Sequence, residues 1–315
     1  MRSAAEYVMK DFGKIDLHMH TTISDGTDSP EEILIRVKQA GIGLFSVTDH
    51  DAIKSSRIIP SLLGDGDPCF LPGVEFSCKD EEGKYHILGY GYDPDGVAIQ
   101  GVVEHGHQLR MKKVTTRLDL LASQFGFLFP EEELSTLLAL DNPGKPHMGN
   151  LMVKYGYAAT RDEAIKRYID RLPFRNEYIR PEEAIQGILG AGGIPVLAHP
   201  SYGSGDQLIL GDEMDRRIRR LMEYGLKGLE GFYSGFTDKL CREILSFARR
   251  YDLYVTAGSD YHGANKLVEL GDTGLDRVTV PPEELLRFLS DVTNGASPRT
   301  HKNCKDDAET EIQHR

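Results

Sequence analysis

Two histidines lie one residue apart near the start of the chain, in the stretch KIDLHMHTTISDG at residues 14–26. Side chains at positions i and i+2 of a strand point to the same face, so His18 and His20 would stand side by side and could share one cation. Neutral imidazoles also occur as hydrogen-bonded core residues, and the pair alone leaves both interpretations open. A metal site needs further ligands from elsewhere in the chain.

Further residues of metal-ligand type occur where short apolar runs end, in FSVTDH, LPGVEFS, KYHILGY, IPVLAHP and VTAGSDYH. With the first stretch they give nine candidate ligands: His18, His20, Asp25, His50, Glu75, His86, His199, Asp260 and His262. Six of the chain's 11 histidines are in this set, which favours a shared role over nine separate structural ones. Nitrogen and oxygen ligands without thiolate suit Zn, Mn or Fe, and the mixed set leaves the choice among them open.

Seven apolar segments predict the strands that would position these residues: KIDLHM, GLFSVTD, FLPGVEFSC, YHILGYGY, IPVLAHP, GLKGLEGFY and LYVTAGSD. Helix-like segments lie between several of them, and SPEEILIRVKQAG has Ser29 as N-cap and Pro30 at the first helical position. Strands that alternate with helices predict a parallel sheet, and seven of them favour a barrel. The C-terminal ends of barrel strands form one mouth, where we expect the nine candidates to converge.

The alternation of strands and helices breaks between about residue 100 and residue 190, where five helix-like segments follow one another. We therefore predict a discontinuous barrel domain at residues 1–100 and 190–300. Residues 101–189 would form a helical insertion, and the polar residues 301–315 a flexible tail.

The motifs DLHMHTTISDGT, VTDHD, GVEFS, HILGY, LAHP and GSDYHG resemble, in this order, those of the PHP (polymerase and histidinol phosphatase) family of metal-dependent phosphoesterases. The resemblance implies an α/β fold, a distorted (β/α)7 barrel, with two or three divalent ions (Mn, Fe or Zn) at its mouth. It implies three ligand groups: His18, His20, Glu75 and Asp260; Glu75, His86 and His199; and Asp25, His50 and His262. Asp25 stands where some family members have histidine, and its harder oxygen would either weaken this site or favour Mn or Mg there.

A basic run in the insertion, HGHQLRMKKVTTR, places Arg110, Lys113 and Arg117 on one helix face, which suits either solvent or phosphate. The insertion resembles that of a PHP subgroup with nucleoside 3′,5′-bisphosphate phosphatases and an exonuclease that trims RNA from its 5′ end, where it caps the active site. The resemblance implies catalytic roles for Arg110, Arg117 and His147, and substrate binding by Lys113 and Lys145. His147 would contact phosphate, protonate the leaving group or only cap a helix.

Several residues near the predicted mouth complete the set of candidates. Tyr233 and Ser234 follow GLEGFY, and we expect them to line the substrate pocket, whereas we interpret Glu230 in the same run as structural. Three aspartates near the ligands would orient imidazoles or face solvent: Asp16, Asp49 and Asp51.

The bulk composition narrows the class of protein. The net charge of −12 argues against stable binding of duplex nucleic acid, and no apolar run is long enough to span a membrane. The first residues lack the apolar core of a secretion signal, so we expect a cytoplasmic protein.

The predicted partner of this protein is a phosphorylated nucleotide or a short 5′-phosphorylated oligonucleotide, which it would hydrolyse. The alternatives are a small-metabolite phosphatase of the histidinol-phosphate type and a non-catalytic metal-binding module, and the oligomeric state is open.

Overall fold

The computed structural model describes residues 9–294, except residues 11, 141, 175 and 204–206. The predicted tail at 301–315 lies outside the described residues. Eight strands occur in the described part: β1 (Lys14–Asp16), β2 (Ile42–Phe45), β3 (Cys69–Phe70), β4 (Gly73–Lys79), β5 (Lys84–Tyr90), β6 (Ile194–Leu197), β7 (Gly228–Tyr233) and β8 (Tyr254–Gly258). Each of the seven predicted segments contains a strand, and the third contains two.

The strands form two sheets, and no closed barrel is detected among the described residues. The first sheet has the order β1-β2-β3 and is parallel, whereas the second has the order β4-β5-β6-β7-β8 and is mixed. The pairs β4/β5 and β5/β6 are antiparallel, and the expectation of a uniformly parallel sheet is wrong there. The reason is local, because residues 80–83 are too few for a helical crossover and form a hairpin turn in which Asp80 accepts the amides of Glu82 and Gly83.

Backbone hydrogen bonds join the two sheets near the ends of their strands. The amide of Leu17 donates to the carbonyl of Ala257 at 2.9 Å, and the amide of Asp260 donates to that of His18 at 2.8 Å. On the other side, the amide of Asp51 donates to the carbonyl of Glu75 at 2.9 Å. These contacts hold the ligand-bearing segments of both sheets at one end of the molecule.

The described part contains ten α-helices: α1 (Pro30–Gln39), α2 (Lys54–Leu62), α3 (Val97–Phe125), α4 (Glu131–Leu138), α5 (Lys145–Lys154), α6 (Arg161–Glu163), α7 (Pro181–Gly190), α8 (Gly211–Glu223), α9 (Asp238–Arg250) and α10 (Glu283–Asn294). Helix α6 continues into a π-helical turn (Ala164–Tyr168) and a 3-10 turn (Ile169–Arg171), and further 3-10 turns lie at Gly263–Asn265 and Leu275–Arg277. Helix α1 has the predicted cap, because Ser29 and Glu32 accept each other's backbone amides. None of the described helices combines the length and apolar character needed to cross a bilayer.

Part of the helical segment between β5 and β6 has a separate apolar cluster. Val114 and Leu121 of α3 pack there with Leu137 of α4 and Met152 of α5. A larger cluster extends over both sheets and includes the start of α3 as well as α7, α8, α9 and α10. The ends of the predicted insertion therefore pack with the sheets, whereas its middle has an apolar cluster of its own.

Candidate metal centre

The nine candidate ligands form one continuous cluster at the end of the sheets. In the group His18, His20, Glu75 and Asp260, one ligand atom of each residue lies within 4.8 Å of those of the others. The Nε2 atoms of His18 and His20 lie 3.3 and 3.2 Å from Oε2 of Glu75. Oδ1 of Asp260 is 3.4 and 3.3 Å from the same two nitrogens. These four residues are the first ligand group that the resemblance implies.

The remaining candidates adjoin this group. His20, Asp25, His50 and His262 form a second group able to hold a cation, and His50, Glu75 and His86 form a third. His199 joins through Glu75, because its Nε2 lies 3.3 Å from Oε1 of that carboxylate. Compared with the implied grouping, His20 also reaches the ligands around Asp25, and His50 also reaches those around Glu75. Glu75 is therefore central to the cluster.

Buried atoms without a hydrogen-bond partner test whether the cluster fits a cation. Within the described residues, Nε2 of His18, Nε2 of His20 and Oδ1 of Asp25 are such atoms, although each lies close to other ligands. A buried polar atom that lacks a partner costs free energy, and divalent cations bound in the first and second groups would satisfy these three atoms. The residues present fit one or more metal ions.

The electrostatics of the cluster also suit cations. Burial raises the pKa of Glu75, but the imidazoles of His50 and His86 outweigh it and hold that pKa well below its ordinary value. Burial lowers the pKa of His20, yet hydrogen bonding with the Asp260 and Glu75 carboxylates raises it to about 9. Carboxylates therefore stay ionised, and the positive charge they attract can come from a metal.

The reversed strand explains the position of His86. Most candidates follow the C-terminal ends of their strands, whereas His86 lies near the start of β5. Because β5 runs antiparallel to β4 and β6, its first half lies at the end where parallel strands finish.

Two other candidate ligands, His199 and Asp260, have left-handed backbone conformations, with φ of 27° and 58°. Non-glycine residues seldom adopt such φ values, which concentrate at functional sites.

Glu230 is the residue that sequence reasoning underestimated. Its Oε1 accepts from Nδ1 of His18 at 2.9 Å, and its Oε2 accepts from the backbone amide of His199 at 2.8 Å. The bond to Nδ1 leaves Nε2 of His18 as the atom directed at Glu75 and Asp260. The available signal was an acidic residue inside the fully buried strand GLEGFY.

Tyr233 and Lys266 hold the outer oxygen of Asp260. The Tyr233 hydroxyl donates to Oδ2 of Asp260 at 2.9 Å, and Nζ of Lys266 donates to the same oxygen. Oδ1 therefore faces the imidazoles while Oδ2 is bound by these two residues. Ser234 lies partly exposed in the turn after β7.

Among the described residues, the three aspartates near the candidate ligands accept hydrogen bonds from backbone amides and not from imidazoles. Asp16 accepts the amides of Ser259 and Gly271 at 2.9 and 2.7 Å. Asp49 accepts the amide of Thr21 at 2.8 Å as well as nearby hydroxyls. Asp51 accepts the amide of Ser77 at 2.8 Å. They fix the segments from which the ligands project.

The predicted basic face of the insertion divides between two environments. Arg110 forms an ion pair with Asp51, the residue that follows His50 in the chain, and Lys113 Nζ is 3.8 Å from the centre of the Tyr178 ring. Arg117 is buried in the insertion, where it donates to Asn176 at 2.8 Å and packs on Phe174. Its catalytic role stays a prediction, and among the described residues it contacts Asn176 and Phe174 rather than a candidate ligand.

Residues 144–147, with the sequence Gly-Lys-Pro-His, form the start of helix α5. Nδ1 of His147 accepts the backbone amide of Gly144 at 3.2 Å, so the capping contact exists and the proton of a neutral ring lies on Nε2. Burial lowers the pKa of His147, which favours that neutral form. Lys145 forms an ion pair with Asp170 inside the insertion.

The mixed α/β fold and the cluster of imidazoles and carboxylates define a metal-dependent hydrolase. The chain is 30% identical to the phosphoribosyl 1,2-cyclic phosphate 1,2-diphosphodiesterase of Eggerthella lenta, over 79% of this chain and 94% of that protein. The chain therefore belongs to the PHP family of metal-dependent phosphoesterases.

Other relatives have related activities. The 5′-3′ exoribonuclease of Haemophilus influenzae is 26% identical over 82% of this chain and 93% of its own length. The 3′,5′-nucleoside bisphosphate phosphatase of Chromobacterium violaceum is 27% identical over 79% and 87%. A solved structure from Bifidobacterium adolescentis, assigned as a metal-dependent phosphoesterase, superposes with a TM-score of 0.73 at 25% identity, over 88% of this chain and 96% of that one. No protein-family model matches the chain.

Proposed function

We propose that this enzyme removes one phosphate from a small phosphorylated nucleotide, a nucleoside 3′,5′-bisphosphate, with two or three Mn, Fe or Zn ions held by the nine candidate ligands. The observation that carries the proposal is the set of buried, partnerless ligand atoms of His18, His20 and Asp25. The bisphosphate phosphatase among the relatives supports the substrate class.

The ligand groups assign the residues that would hold each ion. The first ion would take His18, His20, Glu75 and Asp260; the second Glu75, His86 and His199, with His50 in reach; the third Asp25, His50 and His262, with His20 in reach. When bound, the divalent ions would supply Lewis acidity and a strongly nucleophilic water for displacement at phosphorus.

His147 would supply the proton that the leaving group needs. Hydrolysis forms a bond from a water oxygen to phosphorus and breaks the ester P–O bond, so the departing sugar oxygen needs a proton. The Nε2–H of neutral His147 can donate it, because Nδ1 is already held by the Gly144 amide. Arg110 would hold the segment that carries His50 through its ion pair with Asp51, and Lys113 and Lys145 would bind substrate phosphate.

The helical segment 101–189 would act as a cap over this site, with residues 1–100 and 190–300 as the body. Pro146, Arg161 and Ile165 of this segment line the same cavity as the ligands, which supports the cap. For the body, we propose that the two sheets, joined near His18 and Glu75, correspond to the family's distorted seven-stranded barrel.

A second candidate substrate is a short 5′-phosphorylated oligonucleotide. It is favoured by the Tyr178 ring, which has Nζ of Lys113 at 3.8 Å and Nζ of Lys84 at 5.6 Å from its centre. An aromatic ring with two ammonium groups is suited to a base and the adjoining backbone phosphate. Lys84 is two residues from His86 on β5 and shares its face.

One substrate panel tests the proposal. Mn-loaded protein is assayed with adenosine 3′,5′-bisphosphate, AMP, histidinol phosphate and a 5′-phosphorylated pentaribonucleotide, with His199→Ala as the inactive control. We expect the highest kcat/KM for the bisphosphate. Preference for histidinol phosphate would support a small-metabolite phosphatase instead. No turnover above the control, with metal still bound, would support a non-catalytic module.

A further inference from the structure

A cavity of about 330 Å³ adjoins the ligand cluster, and its lining includes basic side chains. Seven of the candidate ligands line it: Asp25, His50, Glu75, His86, His199, Asp260 and His262. Arg161, Asn265 and Lys266 line it as well. None of these three belongs to the motifs by which the ligands were recognised. A cavity of this size accommodates a small polar ligand.

Arg161 is fixed in place by the loop that follows the last ligand. Its guanidinium donates to the Asn265 side chain and, at 3.2 Å, to the Asn265 carbonyl. Asn265 in turn donates from Nδ2 to the carbonyl of Asp25 at 2.7 Å. These bonds use two of the five N–H donors of the guanidinium, which leaves donors for a ligand. Among the described residues, Arg161 forms no ion pair with a carboxylate.

Lys266 lies beside the cluster. Its Nζ donates to Oδ2 of Asp260 and, at 2.9 Å, to the hydroxyl of Tyr233, and about a third of its side chain is exposed. Since Asp260 turns its other oxygen toward His18 and His20, only the width of one carboxylate separates Lys266 from the ligand cluster. Asp162 also lines the cavity, but its carboxylate contacts Lys166 at 3.4 Å.

We propose that Arg161 and Lys266 form an anion subsite that binds the phosphate that is not hydrolysed. The inference rests on the proposed function, in which the metal cluster takes the phosphate that is removed. A guanidinium offers a planar pair of donors to phosphate oxygens, and an ammonium that lines the same cavity adds a second charge. The subsite makes the enzyme specific for substrates with two phosphates on one nucleoside.

The test compares selectivity rather than activity alone. We measure kcat/KM for adenosine 3′,5′-bisphosphate, 3′-AMP and 5′-AMP with the Mn-loaded wild type, Arg161→Gln and Lys266→Gln. Each variant should lower the ratio of kcat/KM for the bisphosphate to that for the better monophosphate by about tenfold or more, mainly through KM. Lys154→Gln, an exposed lysine in the same helical segment that pairs with Glu133 outside the cavity, is the matched control and should leave this ratio unchanged.

The outcomes separate the subsite from the function on which it rests. If the variants lose activity on all three substrates in equal proportion, the two residues only support the fold and the subsite is wrong. Lys266→Gln leaves the Arg161 contacts with Asn265 intact, so it keeps the test valid if Arg161→Gln does not fold. A wild type that hydrolyses none of the three would overturn the proposed function itself, before any variant is compared.

Discussion

Replacement of Glu230 by glutamine should weaken metal binding although Glu230 is not itself among the candidate ligands. The carboxylate accepts two buried hydrogen bonds, from Nδ1 of His18 and from the backbone amide of His199. Each hydrogen bond uses a different oxygen of the Glu230 carboxylate. Glutamine keeps the shape but has one oxygen and one NH2 group, so either His18 or His199 would face a donor in place of an acceptor.

The magnitude follows from that loss. A buried donor left without its acceptor costs about 1–3 kcal/mol, and each 1.4 kcal/mol is about tenfold in an equilibrium constant. Replacement of residues that orient metal-bound histidines commonly costs about 10–100-fold in metal affinity. We therefore expect the dissociation constant of Mn or Zn to rise about 10–100-fold in Glu230→Gln.

The assay is competition between the protein and a metal-binding fluorescent chelator, with far-UV circular dichroism to confirm that the variant is folded. Glu223→Gln, at the exposed end of α8, is the matched control and should bind metal like the wild type. A folded Glu230→Gln protein whose metal affinity stays within about twofold of the wild type would refute the reasoning, since an effect that small is below the expected cost of an unpaired buried donor.

Three further predictions concern close packing, a lysine and the third ligand group. Gly258→Ala should lower the melting temperature by several degrees, because its Cβ would overlap that of His18 and lie 2.7 Å from a Glu230 oxygen; Gly101→Ala, with open space, is the control. Burial lowers the pKa of Lys113 to about 7, so its charge is present below that pH and lost above it. KM should therefore rise between about pH 6 and pH 8, and less so in Lys113→Arg. Asp25→Asn should remove about one metal ion per chain, measured by elemental analysis.

Each of these has a contrary result. Equal melting temperatures for both alanine variants would show that the strands at Gly258 can move apart. Identical pH profiles of KM would mean that Lys113 does not meet the substrate. Unchanged metal content in the Asp25 variant would mean that the residues around Asp25 bind the ions of the other two ligand groups.

The positions of the strands were predictable because every strand is a short apolar run with clear ends. The convergence of the nine candidate ligands was predictable for the same reason, since each lies in or just after such a run. The direction of β5 was not, because it depends on the brief hairpin turn KDEEGK rather than on any apolar pattern. The environment of each side chain on a helix face was equally uncertain. The pattern places Arg117 on the same face as Arg110, but Arg117 is buried against Phe174 whereas Arg110 pairs with Asp51.

The seam between β1 and β8 has a consequence for how the protein folds. Glu75 and His86 come from one hairpin and can meet early, whereas His18 and Asp260 meet only when strands from opposite ends of the chain have joined. Contacts so distant in sequence form late and are entropically costly. An ion shared by His18 and Asp260 binds only the joined state, so it stabilises that state by mass action and makes metal supply a determinant of how long the two ends of the chain stay together.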